Sequence, residues 1–227
     1  MNSIEMLSVV ARGLGPLKNE VVFVGGATIE LYITGEQPGV KFRPTDDVDC
    51  VVEVASRVEY HKIEERLREL GFQHPMDERA PICRWKFQGI LVDVMPIEGR
   101  VLGFSNRWYP EGFATSVMTK LPDGQEIRIF ALPYLIASKL EAFKDRGKGD
   151  FVGSTDMEDI IAVLDGVPDF QEQIERASEP VKAFLRNGFE ELLRDERFLD
   201  ALEGHLPPLG REKRVQRANA ILKKLAE

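Results

Sequence analysis

Two stretches decide how this chain reads: Val21-Val22-Phe23-Val24-Gly25-Gly26-Ala27-Thr28 and, further along, Thr45-Asp46-Asp47-Val48-Asp49. The first is an apolar run cut off by two glycines, the pattern of a short buried strand turning out of a sheet. The second crowds three aspartates around one valine. In a strand, alternate side chains share a face. Asp47 and Asp49 therefore point together while Val48 points to the core. Asp46, at the loop end, stands apart as a solvated neighbour or a cap. Two carboxylates on one face repel each other, and a divalent cation is the simplest group that offsets them. Magnesium, a hard ion, prefers such oxygen ligands. A calcium loop of the EF-hand kind needs glycine at its sixth position and glutamate at its twelfth. Counted from Asp46 or from Asp47, the sixth residue is a valine, so that reading fails.

A third carboxylate comes from Leu91-Val92-Asp93-Val94-Met95. An aspartate inside an apolar strand is costly unless it is paired or bound to metal. With this strand beside the one that carries Asp47 and Asp49, the three carboxylates hold one or two magnesium ions, the arrangement used in phosphoryl and nucleotidyl transfer. The competing reading is that each aspartate caps a turn or pairs with an arginine. Gly25 and Gly26 let a phosphate approach the backbone closely, and the short helix expected over 27–33 adds N–H groups and positive potential. Thr28 adds a hydroxyl. No G-K-[ST] follows the glycines and no G-x-G-x-x-G is present there, which excludes the P-loop and the dinucleotide fingerprint. Arg43, just before Pro44 and the aspartates, either contacts a phosphate or offsets their charge.

The remaining punctuation places these residues. Helices are expected over 3–12 and 57–70, the second with Val58, Ile63, Leu67 and Leu70 as its apolar positions and Gly71 as its stop. Residues 34–44 read as a loop. Strands are expected over 48–54, and a hairpin over 82–87 and 90–95 around Gln88-Gly89. A second hairpin joins 114–119 to 126–130 through Leu121-Pro122-Asp123-Gly124. From Pro133 the pattern is helical nearly to the end, with helices near 133–145, 155–164, 169–177, 179–194, 195–204 and 211–226. Thr155-Asp156-Met157-Glu158 has the form of a capping box. The fold class is therefore α+β: strands and helices over 1–131, then a helical region over 132–227.

Composition narrows the setting. The formal net charge of −8 argues against a broad nucleic-acid footprint, which is built from Lys and Arg. The basic last segment, with Arg211, Lys213, Arg214, Arg217, Lys223 and Lys224, reads as a solvated helix face. No apolar run is long enough to cross a bilayer, and the first residues lack a signal-peptide pattern, so a cytoplasmic location is expected. Cys50 and Cys83 have no zinc-ligand spacing and read as buried thiols. His61, His74 and His205 are scattered and are expected at the surface. Trp85 and Trp108 are expected to pack in the core or line a groove.

Glycine pair, short helix, loop, D-x-D and a later third aspartate together resemble the nucleotidyltransferase superfamily, which includes DNA polymerase β and the antibiotic nucleotidyltransferases. The resemblance implies a nucleotidyltransferase-like mixed sheet with flanking helices, a nucleoside triphosphate substrate, and two magnesium ions. The metals would fall to Asp47, Asp49 and Asp93, and the triphosphate to Gly25 and Gly26. Many members carry Gly-Ser where this chain has Gly25-Gly26. The second half is similar to the abortive-infection (AbiEii-like) type IV toxin nucleotidyltransferases. There a K-x-x-A-x-x-x-R stretch precedes a D-x-x-D segment; Lys139, Ala142 and Arg146 match the first, and Asp156 and Asp159 the second. Lys139 and Arg146 share a helix face with Phe143. They either grip the triphosphate and its leaving pyrophosphate or form salt bridges with Asp156 and Asp159. The toxin branch implies an antitoxin partner. The acceptor stays open between an RNA end, a protein hydroxyl and a small-molecule hydroxyl. The alternative class is a non-catalytic scaffold of the same fold that binds a nucleotide or a partner.

Overall fold

The structure is a computed structural model that describes residues 1–33, 42–77, 79–147 and 149–227. The expected loop at 34–44 lies largely outside the described residues. The chain packs as two compact units, one formed by Met1–Glu30 with Pro44–Ala131 and the other by Leu31–Arg43 with Leu132–Glu227.

The first unit is built on a six-stranded mixed sheet. Its strands are β1 (Val21–Val24), β2 (Asp47–Val52), β3 (Arg84–Phe87), β4 (Ile90–Pro96), β5 (Val117–Lys120) and β6 (Glu126–Ile129), in the order β3-β4-β2-β1-β6-β5. β2 runs parallel to β4 and antiparallel to β1, while β1 and β6 are parallel. The outer pairs β3–β4 and β5–β6 are antiparallel hairpins. All four residues of β1 are buried, as its unbroken apolar sequence requires. The β3–β4 hairpin closes through Gln88 and Gly89 at φ 48° and 87°, the double left-handed turn that a two-residue hairpin demands.

Helices α1 (Ser3–Leu14), α2 (Ile29–Tyr32) and α3 (Arg57–Glu69) match the expected positions. Asn2 caps α1 in a reciprocal capping box with Glu5. In α3 the buried residues are Tyr60, Ile63, Glu64 and Leu67; Val58 is 69% exposed, because it lies on the solvent side of the first turn. Tyr60 donates its hydroxyl hydrogen to the Val94 carbonyl at 2.7 Å, tying α3 to the middle of β4. Two short helices, α4 (Gly99–Leu102) and α5 (Tyr109–Ala114), were not expected. α5 replaces the start of the strand expected over 114–119, and only Val117–Lys120 is extended.

The second unit is helical: α6 (Leu132–Arg146), α7 (Thr155–Gly166), α8 (Phe170–Glu175), α9 (Glu179–Arg194), α10 (Glu196–His205) and α11 (Arg211–Leu225). α7 is capped one residue earlier than its T-x-x-E pattern suggests. Ser154 is the N-cap and accepts from the Met157 amide, so Thr155 already lies within the helix. The basic face of α11 is only partly solvated. Arg214 and Arg217 converge on the buried Asp165 of α7, Arg217 at 2.6 Å. His205 is part-buried rather than exposed, with Nε2 2.9 Å from the Phe151 carbonyl oxygen. The expected class holds: a mixed α+β unit followed by a helical region.

Candidate active site

The first unit brings the three expected carboxylates together. The registers place Asp49 opposite Asp93 across the parallel β2–β4 pair and opposite Val24 across β1–β2. Asp47 lies two residues back along β2 on the same face. The alternation shows in burial: Asp46 is exposed, Asp47 and Asp49 are half-buried, and Val48 between them is buried completely. Asp93 is buried. One carboxylate oxygen from each of Asp47, Asp49 and Asp93 lies within 4.8 Å of the others. Three charges that close on one sheet face would repel strongly without a cation.

The glycine turn abuts this cluster. Gly25 follows Val24 at φ +75°, and a Cβ placed on it would lie 2.0 Å from Asp49 Oδ2. Glycine is thus required twice, for its backbone angle and for the space that the Asp49 carboxylate fills. Gly25→Ala is expected to destabilise the unit by about 1–3 kcal/mol and to push Asp49 off its position. Thermal unfolding measures the first effect and cation titration the second. Gly26 opens a single 3-10 turn, Gly26–Thr28, that leads into the four-residue α2. Thr28 is fully buried and gives its hydroxyl hydrogen to the Gly25 carbonyl at 2.9 Å, so it holds the turn shut.

An arginine that the sequence reading did not single out completes the cluster. Arg84, on β3, is the direct cross-strand neighbour of Asp93. Its guanidinium donates from Nε to Asp93 Oδ1 at 2.8 Å and from Nη2 to Asp93 Oδ2 at 2.7 Å. Nη2 also reaches Asp47 Oδ2 at 3.4 Å. The hydrogen bonds with Asp93 raise the Arg84 pKa above its already high ordinary value. The signal was present in the sequence. Counting outward from the two-residue turn Gln88-Gly89 pairs Phe87 with Ile90 and, three steps on, Arg84 with Asp93.

The donor set fits a divalent cation of the hard, oxygen-seeking kind: three carboxylates, no sulfur, no imidazole. The guanidinium of Arg84 shows that a positive group is accommodated on this face. The two thiols nearby feel the same negative field. Burial pushes the Cys50 thiol well above its usual range, and the charges of Asp49 and Asp93 add to it. Burial pushes Cys83 up to about 12, with Asp93 adding to it. Both should therefore resist a soluble disulfide reagent at pH 8 and react only on unfolding. Thiol titration in native and in denaturing buffer checks this.

The remaining expected residues lie in the second unit, where they form a charge network. Lys139 is buried, with Nζ 2.6 Å from Asp159 Oδ2 and 3.6 Å from Asp156 Oδ1. Arg146, two turns along the same helix face, grips Asp156 with Nε at 3.0 Å and Nη2 at 2.9 Å. Arg43 Nη2 lies 3.2 Å from Asp159 Oδ2 and Arg43 Nε lies 3.9 Å from Glu158. Of the two readings held open for Lys139 and Arg146, the salt-bridged one is the arrangement seen.

Among solved structures, the chain is similar to the solution structure of the antibiotic-resistance factor ANT(2'')-Ia. The two are 14% identical with a TM-score of 0.47, over 84% of this chain and 94% of that one. No protein-family model matches the sequence, and no curated protein matches it either.

Proposed function

We propose that this protein is a magnesium-dependent nucleotidyltransferase of the polymerase-β-like superfamily, with its catalytic core in residues 1–131 and a helical domain in 132–227. The observation that carries the reading is the convergence of Asp47, Asp49 and Asp93 within 4.8 Å, beside a glycine turn with no room for a side chain. When bound, the cation neutralises phosphate oxygens and favours ionisation of an attacking hydroxyl. Asp47, Asp49 and Asp93 would hold it. Gly25 and Gly26, in the turn beside these carboxylates, would hold the triphosphate, as the resemblance implies. An acceptor oxygen forms a bond to the α-phosphorus of a nucleoside triphosphate, the bond to the β-phosphate bridging oxygen breaks, and pyrophosphate leaves. Asp93 receives the acceptor's proton.

The K-x-x-A-x-x-x-R and D-x-x-D matches support the AbiEii-like toxin branch, with an antitoxin partner and a cytoplasmic setting. Incubation with Mg²⁺ and each α-labelled nucleoside triphosphate, against candidate RNA, protein and small-molecule acceptors, tests the reading. Label should move to one acceptor in the wild type and to none in Asp47→Ala; equal transfer by both defeats it. A second reading, a non-catalytic scaffold of the same fold, is favoured by one observation: Arg84 already neutralises part of the carboxylate cluster. Cation-dependent nucleotide binding without turnover on any acceptor would support it.

A further inference from the structure

Arg84 occupies the carboxylates that a divalent cation would need. Both oxygens of Asp93 accept from its guanidinium, one from Nε and one from Nη2, and the same Nη2 leans on Asp47. We propose that Arg84 is an internal counter-cation that competes with the divalent ion for Asp93, and that loading the site requires the guanidinium to let go of at least one of those oxygens. The inference rests on the reading of Asp47, Asp49 and Asp93 as cation ligands.

Three features carry it. First, the charges demand a partner: three carboxylates meet on one face, and Arg84 is a positive side chain bonded to two of them. Second, coexistence is unfavourable. A dication held by Asp93 and Asp47 would sit within a few bond lengths of the guanidinium that grips the same atoms, and like charges at that range repel. Third, the arginine has somewhere to go. It lies on β3, an outer strand of the sheet, and its side chain is 25% exposed whereas that of Asp93 is 11% exposed. Asp93 cannot leave; Arg84 can swing toward solvent on its flexible stem.

The bidentate pair also positions Asp93. It fixes the carboxylate plane through two parallel hydrogen bonds, which a point charge such as lysine would not do. Arg84 thus supports the cluster and keeps its cation affinity low until substrate phosphates add their own negative charge. Once the phosphates arrive, the released guanidinium faces an anion instead of an uncompensated cation.

The test is Mn²⁺ binding by electron paramagnetic resonance, at fixed pH and ionic strength, for wild type, Arg84→Gln, Arg84→Lys and Asp49→Asn, with thermal unfolding in the presence of a chelator. Arg84→Gln should bind Mn²⁺ about five- to tenfold more tightly than wild type. Without cation it should melt at a lower temperature, and saturating Mn²⁺ should close most of that gap. Arg84→Lys, which keeps the charge but loses the fork, should fall between the two. Unchanged or weaker Mn²⁺ binding by Arg84→Gln, with binding still abolished by Asp49→Asn, overturns the competition while leaving the cation site intact. No Mn²⁺ binding that depends on Asp49 in any variant overturns the cation site itself, and the competition with it. Melting of Arg84→Gln does not confuse the result, because the affinity is read on protein that is folded at the temperature of the titration.

Discussion

Asp49→Ala is expected to lower nucleotidyl transfer at least a hundredfold, on the order of what the loss of one strong transition-state contact costs, while leaving the fold in place. Asp49 is the carboxylate with neighbours on both sides, level with Asp93 on β4 and with Val24 on β1. It also fills the space left by Gly25. Removing it takes away one candidate ligand and its repulsion with Asp47 and Asp93, so stability should hold or rise slightly. That combination, lost chemistry with kept stability, separates a functional carboxylate from a structural one. Steady-state transfer and thermal unfolding, measured on the same preparation, report the two halves. Lost activity together with a collapsed melting temperature would mean that Asp49 holds the sheet together rather than a cation.

The opposite pattern is expected at Lys139. Lys139→Ala removes the cation facing the buried Asp159 and Asp156. A buried charge stripped of its partner costs about 3–5 kcal/mol, which in a chain of this size is a fall in melting temperature on the order of 10 °C. Asp156 keeps Arg146, and Asp159 keeps Arg43, so the loss should sit toward the lower end of that range. The double replacement Lys139→Met with Asp159→Leu should recover part of it, because it removes the buried Asp159 charge while Arg43 loses its contact with Asp159. If Lys139 served instead to hold the leaving pyrophosphate, Lys139→Ala would leave the melting temperature alone and weaken triphosphate binding.

The strands that carry the site were legible because they are short, apolar and punctuated by glycine. The alternation Asp47, Val48, Asp49 fixed which carboxylates share a face, and the isolation of Asp93 among valines marked it as a third member. The parallel neighbour relation of β2 and β4 was assumed rather than readable, since it depends on a crossover through α3 that local pattern does not encode. Hairpin counting pairs Arg84 with Asp93, but a single arginine at the start of a short strand carries no pattern that marks it as part of a site. The local bond from the Thr28 hydroxyl to the Gly25 carbonyl is not announced by spacing, because a short polar side chain beside a turn has several backbone partners within reach. α4 and α5 escaped because one- to two-turn helices are too short to show a period. The choice between gripping a phosphate and bridging an acid at Lys139 needed three-dimensional proximity, which spacing along one helix cannot supply.

The central claim is that Asp47, Asp49 and Asp93 hold a divalent cation that a nucleotide needs. Isothermal titration with ATP, GTP, CTP and UTP in turn, with Mg²⁺ and again with excess chelator, tests it without knowledge of the acceptor. At least one nucleotide should bind the wild type only with Mg²⁺, and Asp49→Asn should lose that Mg²⁺-dependent binding. Binding that is equally strong without Mg²⁺, or that survives Asp49→Asn unchanged, would contradict the account.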